Sequence, residues 1–486
     1  MANQDTAKKK VISSLIWKFF ERIGYQGVNF IVQIVLARLL LPEDYGIISL
    51  LIVFVNIANA IIQNGFNTAL IQKKEVDEID ISSAFFVTLI LSIFLYVVLY
   101  LSAPSISEFY RMPKMIPVLR VLALLLPLGA VNSIQIAILS RNLQFYKLLI
   151  SNMSAVICSG TSGIILAYMG AGVWALVVQQ LLFNLISCIV LWFVVKWRPS
   201  LRFSIQSIKT LFSFGWKMLV SRLINLIYGD IYSLVIGRVF SANALGYYNR
   251  GKQFSYTIIM SIDGAIQSVM LPAYSREQEN KKVLKSMTRR SIVTSSYVVF
   301  PVMMGLGVVA RPLVSLLLTD KWLGCVPFLQ INCFIYALYP IHSANLQVIC
   351  AMGKSEVYLK LEVIKKILGV AIMFCTLPFG IYWFTFGGVI TGLLSTVINA
   401  FPNIEYLDYS IAEQWKDIFP SFILSIVMGA IVYPIQFLPI NNLFILFIQI
   451  IVGVIIYVGA SVVFRLECFY YLKNTILDMI RGKKKV

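Results

Sequence analysis

The feature that most constrains the fold of this chain is a series of apolar runs long enough to cross a membrane. Two of them are SSAFFVTLILSIFLYVVLYLSA (82–103) and FILFIQIIVGVIIYVGASVVF (444–464). About 20 apolar residues in an α-helix are needed to cross the hydrocarbon core of a bilayer. Hydrophobic residues make up 59% of the 486 residues and charged residues only 13%, a balance that soluble domains of this length do not have. The sequence therefore predicts an all-α integral membrane protein.

The number and orientation of the spans follow from where the apolar runs are broken by Pro, Gly and charged clusters. These breaks predict fourteen transmembrane helices, among them spans at 11–40, 116–140, 357–379 and 442–464. An even number places both termini on one side. With both termini in the cytoplasm, most of the 41 Lys and Arg residues fall on the cytoplasmic side, as the positive-inside rule requires. We interpret the net charge of +19 as contact with anionic membrane lipid, and we predict no nucleic-acid partner.

The sequence lacks the motifs of the common enzyme classes. It contains no GxxxxGK[ST] phosphate loop, no HExxH and no nucleophile elbow, and its loops are too short to fold into a domain. EVDEID (75–80) could mimic a metal-binding glycosyltransferase site, but a solvated turn is the favoured interpretation. We predict a protein that is not an enzyme and that uses no cofactor and no metal ion.

The cysteines and the single histidine point to packing roles. The seven Cys residues show no paired spacing and no CxxC, which favours small apolar fillers. His342 cannot form a metal site alone, so we predict a packing or helix-kink role, with proton relay as the alternative.

An internal repeat divides the chain at an offset of about 200 residues. The matching positions are Trp17-Lys18, Arg22, Arg38 and Gly46 in the first copy and Trp216-Lys217, Arg222, Arg238 and Gly246 in the second. Both copies begin on the same predicted side of the membrane, so the repeat is parallel, and such a pair encloses a central cavity. We predict two six-helix lobes, 1–205 and 206–410, followed by two further helices and a basic cytoplasmic tail in 411–486.

Polar residues form a stripe along the first predicted span. Their spacing of three or four residues places them on one helix face: Lys18, Arg22, Gln26, Asn29 and Gln33. Related polar positions in the second, seventh and eighth spans are Asn56, Asn59, Gln63, Lys217, Arg222, Asn225, Arg250 and Lys252. A charge near the centre of a spanning helix costs roughly 2.5–3.5 kcal/mol, so these helices share an aqueous cavity or pair internally. Local salt bridges are the alternative: Lys18 or Arg22 with Glu21, and Arg222 with Asp230.

Three further stretches carry a resemblance to a known family. LARLLLPEDYGIISL (36–50), GRVFSANALGYYNRGKQFS (237–255) and the WRPSLRFS loop (197–204) that leads into LFSFGWK resemble the Wzx-type oligosaccharide flippases of the polysaccharide transporter family. These flippases belong to the multidrug/oligosaccharidyl-lipid/polysaccharide exporter superfamily. The resemblance implies transfer of an undecaprenyl-pyrophosphate-linked oligosaccharide from the inner to the outer leaflet of a bacterial inner membrane. It implies alternating access of two lobes, for export of a surface polysaccharide such as lipopolysaccharide.

The resemblance also implies roles for the polar stripe. A basic cavity would bind the pyrophosphate through Arg22, Arg222 and Arg250, because guanidinium groups form bidentate hydrogen bonds with phosphate. Lys18, Lys217 and Lys252 would add positive charge, and the Asn, Gln and Tyr side chains of the stripe would hold the sugar. Ion coupling, if present, would use Glu21, Asp230 or Asp263. Arg38 and Arg238 lie near the outer surface and are assigned to outer gating or structure. A polysaccharide polymerase and glycosyltransferases are the expected protein partners.

Two other classes of protein are weighed against the flippase. A multidrug or cation antiporter of the same superfamily usually has acidic residues in its cavity, whereas here cations outnumber carboxylates within the spans. A membrane enzyme that acts on lipid-linked sugars is expected to have a large external loop with catalytic groups, and the sequence predicts no such loop. The balance of charge favours an anionic cargo.

Overall fold

The structure of the protein is a computed structural model. It describes the backbone of residues 2–63, 70 and 76–480, with side chains described outside 2–16, 207, 210–215, 217–218, 476 and 479–480. Two compact units divide the chain, Met1–Gly246 and Tyr247–Val486, here called the N-terminal unit and the C-terminal unit. The predicted lobe boundaries at 205 and 410 stay a prediction.

The N-terminal unit is built from long helices. Its helices are α1 (Ala2–Leu39), α2 (Pro42–Gln63), α3 (Glu78–Tyr110), α4 (Met115–Leu122), α5 (Leu125–Arg141), α6 (Phe145–Tyr168), α7 (Val173–Val194), α8 (Ile205–Val239) and the start of α9 (Ala242–Arg276). Small residues allow the helices to approach closely: a Cβ on Gly160 of α6 would lie 2.6 Å from the Val32 side chain of α1. Such small-residue contacts are typical of helices that pack within lipid.

The two copies of the sequence repeat contact each other within the N-terminal unit. A Cβ added to Gly46, in the first turns of α2, would lie 1.8 Å from the carbonyl oxygen of Ala242. A Cβ added to Gly246, in the first turns of α9, would lie 1.9 Å from the carbonyl oxygen of Pro42. The contact is therefore reciprocal, and each glycine is required because the backbone of the other copy occupies the place of a side chain.

The C-terminal unit continues from α9 through a second set of helices. They are α10 (Lys281–Val308), α11 (Ala310–Leu318), α12 (Val326–Ala337), α13 (Tyr339–Ala351), α14 (Ser355–Thr376), α15 (Ile381–Ala400), α16 (Pro402–Leu407), α17 (Ile411–Val432), α18 (Asn442–Val463) and α19 (Glu467–Ile480), with 3₁₀ turns at Asp320–Cys325, Leu377–Phe379 and Tyr433–Phe437. Its apolar core includes Phe300, Ile341 and Val348.

A polar cluster fixes the start of α17 in the C-terminal unit. Asp417 accepts hydrogen bonds from Arg289 (2.7 Å) and from the Tyr409 hydroxyl (2.8 Å). Burial and the hydrogen bond to Asp417 raise the pKa of Tyr409, so this side chain remains a neutral donor. The Ser410 side chain caps α17 by accepting from the backbone N–H of Glu413 at 3.1 Å.

The prediction of an all-α membrane protein is confirmed. Twelve segments in the described ranges, each a single helix or a run of consecutive helices, are long and apolar enough to cross a membrane. The helices α1 and α14 overlap the predicted spans 11–40 and 357–379, and both carry several charged residues. The count of fourteen spans and the layout of the repeat stay predictions.

Candidate functional site

The polar face of α1 contains a buried carboxylate that is paired within the N-terminal unit. Glu21 is only 7% exposed. Its two carboxylate oxygens accept from the Lys18 ammonium at 2.8 Å and from the Asn152 amide of α6 at 2.7 Å. The Lys18 ammonium also lies 5.3 Å from the centre of the Phe145 ring. Of the local salt bridges weighed from the sequence, the one between Lys18 and Glu21 is present.

The rest of the predicted stripe on α1 is more open. Arg22 and Gln26 are exposed, and Asn29 is half-buried. Lys18 is paired with Glu21, whereas the guanidinium of Arg22 is exposed and can meet an anionic ligand.

Amide side chains of α2 face α5. A Cβ on Gly129 would lie 3.2 Å from Oδ1 of Asn59 and 3.5 Å from Nε2 of Gln63, so both amides lie against this small residue. Oδ1 of Asn59 is buried and has no hydrogen-bond partner among the described residues. Asn56 is exposed. These groups supply hydrogen-bonding capacity of the kind that sugar hydroxyls use.

The polar residues of α8 divide between exposed and half-buried positions. Arg222 and Asn225 are exposed, and Asp230 is half-buried. The side chain of Lys217 lies outside the described residues.

Arg250 and Lys252 lie on the part of α9 that belongs to the C-terminal unit. Arg250 is 7% exposed, donates to Oε1 of Gln253 at 3.0 Å, and places its guanidinium 5.3 Å from the centre of the Trp322 ring. Lys252 lies 5.9 Å from the ring of Tyr248. Arg250 is thus buried in this structure, unlike the exposed Arg22 and Arg222, and its role in binding stays a prediction.

Asp263, the third predicted coupling residue, lies in a buried polar network of the C-terminal unit. It is 5% exposed, and its Oδ2 accepts from the Gln267 amide, which also donates to Ser343 at 3.2 Å. Gln347 donates to the same Ser343 hydroxyl at 3.2 Å. Oδ1 of Asp263 and Oε1 of Gln347 are buried without a hydrogen-bond partner among the described residues. Buried oxygens of this kind suit a proton or a small cation.

The two remaining candidates from the sequence are His342 and the acidic segment 75–80. His342 Nδ1 lies 3.4 Å from the Asn399 amide, which agrees with a packing role. In the acidic segment 75–80, Glu75 lies outside the described residues, and the backbone N–H of Asp77 donates to Asp80 at the start of α3. Among the described residues no group of three or more His, Cys, Asp or Glu could hold a metal ion. The absence of a metal ion and a cofactor stays a prediction.

Several partners of the site were not predicted from the sequence. Asn152 completes the pairing of Glu21, and Gln267, Ser343 and Gln347 surround Asp263. Each is an uncharged polar residue within an apolar span. The presence of such residues in a spanning helix is the sequence signal that could have identified them.

The fold has solved counterparts among membrane transporters. It resembles the lipid II flippase MurJ in an inward closed conformation, with a TM-score of 0.72, 16% sequence identity, and coverage of 93% of this chain and 99% of that chain. It also resembles an inward-facing multidrug resistance MATE family transporter of the MOP superfamily, with a TM-score of 0.58, 15% identity, and coverage of 82% and 99%. The chain is therefore a multi-span membrane protein with the fold of these transporters.

The sequence comparisons define the family. Residues 35–327 match the model of a family described as polysaccharide biosynthesis protein, and the chain belongs to this family. It is 26% identical over 395 residues to the teichuronic acid biosynthesis protein TuaB of Bacillus subtilis (strain 168), covering 78% of this chain and 79% of that protein. It is 23% identical over 440 residues to the lipopolysaccharide biosynthesis protein WzxC of Escherichia coli (strain K12), covering 87% and 88%. The predicted membership of the polysaccharide transporter family is confirmed.

Proposed function

We propose that this protein moves an undecaprenyl-pyrophosphate-linked oligosaccharide from the inner to the outer leaflet of a bacterial inner membrane, for export of a surface polysaccharide. The observation that carries the proposal is the polar face of α1, where a buried, paired carboxylate stands beside the exposed cation Arg22 in a long helix of a polysaccharide-biosynthesis protein. A diphosphate that leaves water needs cations and hydrogen-bond donors in place of its hydration shell.

The proposed topology has fourteen spans with both termini in the cytoplasm. The two spans beyond the twelve strongly apolar ones are α1 and α14. Lys and Arg residues concentrate in the loops assigned to the cytoplasm, which supports this orientation. Transport by alternating access belongs to the proposal.

The head group is proposed to bind first at Arg22 and Arg222, which hold corresponding positions in the two repeat copies and are both exposed. Lys18 contributes less positive charge because Glu21 pairs with it at 2.8 Å. Lys217, Lys252 and Arg250 complete the proposed set of basic residues. The amides of Gln26, Asn29, Asn56, Asn59, Gln63 and Asn225 would contact the sugar.

Coupling to an ion is proposed to use Asp263 ahead of Glu21 and Asp230. Glu21 has both oxygens engaged by protein donors, whereas Asp263 keeps one buried oxygen without a partner among the described residues. That oxygen can accept a proton or a cation without displacing an existing bond. A polymerase and glycosyltransferases are the proposed protein partners.

Complementation of surface-polysaccharide export tests the function. Arg22→Ala and Arg222→Ala are expected to lose most export at normal membrane abundance, because both side chains are exposed and contribute little packing. The corresponding Lys variants keep the charge and are expected to retain partial export. Arg250→Ala is expected to lower abundance as well, because Arg250 is buried over Trp322.

The matched control removes a similar amount of charge elsewhere in the same unit. Lys196→Gln and Lys209→Gln alter exposed cations that have no proposed role in binding, and both are expected to export normally. Full export by the Arg22→Ala/Arg222→Ala variant at normal abundance would contradict the proposed head-group site.

A further inference from the structure

The N-terminal unit contains a second basic site, far along the helices from Arg22 and Arg222. A cleft of about 940 Å³ opens where α3 and α8 end and where α2 and α9 begin. Its lining includes the polar residues Glu43, Arg111, Lys114, Arg238, Ser241 and Asn243. The volume is within the range of sites that bind small ligands.

Local contacts order the chain around two cations of this cleft, Arg111 and Arg238. Arg111 ends α3 in the left-handed conformation (φ 56°), and its N–H donates to the carbonyl of Glu108 at 3.1 Å. The Ser107 hydroxyl closes the same turn by donating to the carbonyl of Met112 at 2.7 Å. The guanidinium of Arg238 lies 4.9 Å from the centre of the Phe109 ring, within the range of a cation–π contact.

Charge in the cleft favours an anion. Three cations and one carboxylate line the cleft, and Lys114 Nζ lies 3.8 Å from the carboxylate of Glu43, with side chains 78% and 52% exposed. A long, solvated ion pair of this kind contributes little to stability. Lys114 can therefore exchange its interaction with Glu43 for one with an anionic ligand with little loss of free energy.

The cleft lies about a membrane thickness from the first proposed site. Arg222 and Arg238 are on the same helix, and the intervening residues at 1.5 Å each separate them by about 24 Å. The hydrocarbon core of a bilayer is about 30 Å thick. The two basic positions therefore fit opposite surfaces of one membrane.

We infer that this cleft is a second anion site, formed by Arg111, Lys114 and Arg238, that binds a phosphate-bearing group. The inference rests on the proposed function in one respect: the expected occupant is the diphosphate of the cargo after it has crossed. The same chemistry is offered by the phosphate of an anionic membrane lipid. A site at each end of the path would keep the diphosphate bound by charged hydrogen bonds at both the start and the end of transfer.

Binding of inorganic pyrophosphate to the purified full chain tests the cleft by isothermal titration calorimetry. The titration uses the Arg22→Ala/Arg222→Ala background in uncharged detergent, which weakens the first proposed site, and substitutions in the cleft then identify the binding that belongs to the cleft. Adding Arg111→Gln, Lys114→Gln and Arg238→Gln is expected to weaken this binding at least a hundredfold, since one lost charged hydrogen bond alone corresponds to about tenfold or more. Arg111→Lys with Arg238→Lys is expected to restore part of it.

The control variant Lys196→Gln/Arg202→Gln/Lys209→Gln removes three exposed cations of the same unit and is expected to bind as the background does. If the Arg22→Ala/Arg222→Ala protein did not bind pyrophosphate, or if the three Gln substitutions left its binding unchanged, the inference of an anion site in the cleft would be wrong. If export did not depend on Arg22 and Arg222 while the cleft still bound pyrophosphate, the proposed function would be contradicted and the anion site would stand.

Nanodiscs distinguish the two sources of phosphate. If phosphatidylglycerol competes with pyrophosphate, and the three Gln substitutions abolish its retention in native mass spectrometry, the cleft binds a membrane-lipid head group. If phosphatidylglycerol leaves pyrophosphate affinity unchanged, the cleft is selective for the diphosphate of the cargo. Both results support the anion site.

Discussion

The reciprocal contact of the two repeat motifs predicts that Gly46→Ala destabilises the N-terminal unit. The new Cβ would lie 1.8 Å from the carbonyl oxygen of Ala242, and the first turns of α2 and α9 would have to separate by about 1.5 Å to reach an ordinary contact. Overpacking of this kind costs about 1–3 kcal/mol. Gly246→Ala meets the carbonyl of Pro42 at 1.9 Å and is expected to have the same effect.

Thermal unfolding of the purified protein, followed by intrinsic fluorescence, measures this effect. Both variants are expected to lower the apparent Tm by several degrees. The double variant is expected to lose less than the two single losses added, because one separation of the helices relieves both overlaps. Gly27→Ala and Gly305→Ala are the controls, since a Cβ at either position meets nothing within 4 Å.

In the controls, alanine improves helix propensity by about 1 kcal/mol, so their Tm is expected to be unchanged or higher. If Gly46→Ala were as stable as Gly27→Ala, the close crossing of the repeat motifs would be refuted. Because the contact joins the two copies, such a result would also remove the structural reason for the glycine shared by both.

Three further substitutions have outcomes that the structure specifies. Asn152→Ala removes a donor from the buried carboxylate of Glu21 and is expected to destabilise the protein by about 1.5–3 kcal/mol in thermal unfolding, and equal stability would argue against that hydrogen bond. Asp417→Asn weakens the bonds from Arg289 and Tyr409, so a fall in Tm is expected, with Glu405→Gln, which is on the surface, as the comparison. Asp263→Asn is expected to preserve membrane abundance and to abolish any dependence of export on an ion gradient, whereas retained dependence would exclude Asp263 as the coupling residue.

The fold was largely predictable because lipid restricts the choices. A hydrocarbon core leaves no partner for an open backbone, so apolar runs of sufficient length must be helices. What the sequence could not give is where long helices end. The run at 116–140 divides at residues 123–124 into α4 and α5, and α3 extends to Tyr110, beyond the apolar run that ends at 103. Such boundaries depend on local packing and capping rather than on hydropathy.

The site was predictable in its residue types and less so in its contacts. The stripe on α1 followed from helix periodicity, and the pairing of Lys18 with Glu21 follows from a spacing of three residues. The partner Asn152 lies 131 residues away in sequence, so only tertiary structure reveals it. Arg250 shows the opposite case: its charge suggested a binding role, and the burial of its side chain 5.3 Å from the Trp322 ring could not be read from periodicity.

Transfer of a lipid-linked sugar by the purified chain tests the central claim most directly. Proteoliposomes would contain a polyprenyl-diphosphate oligosaccharide in the inner leaflet, and a membrane-impermeant lectin outside would report its arrival. The account predicts that the wild type and the Lys196→Gln/Lys209→Gln control expose the sugar, and that Arg22→Ala/Arg222→Ala slows its appearance about tenfold or more at equal reconstitution. Sugar exposure at the wild-type rate in the arginine variant, or none with the wild type, would contradict it.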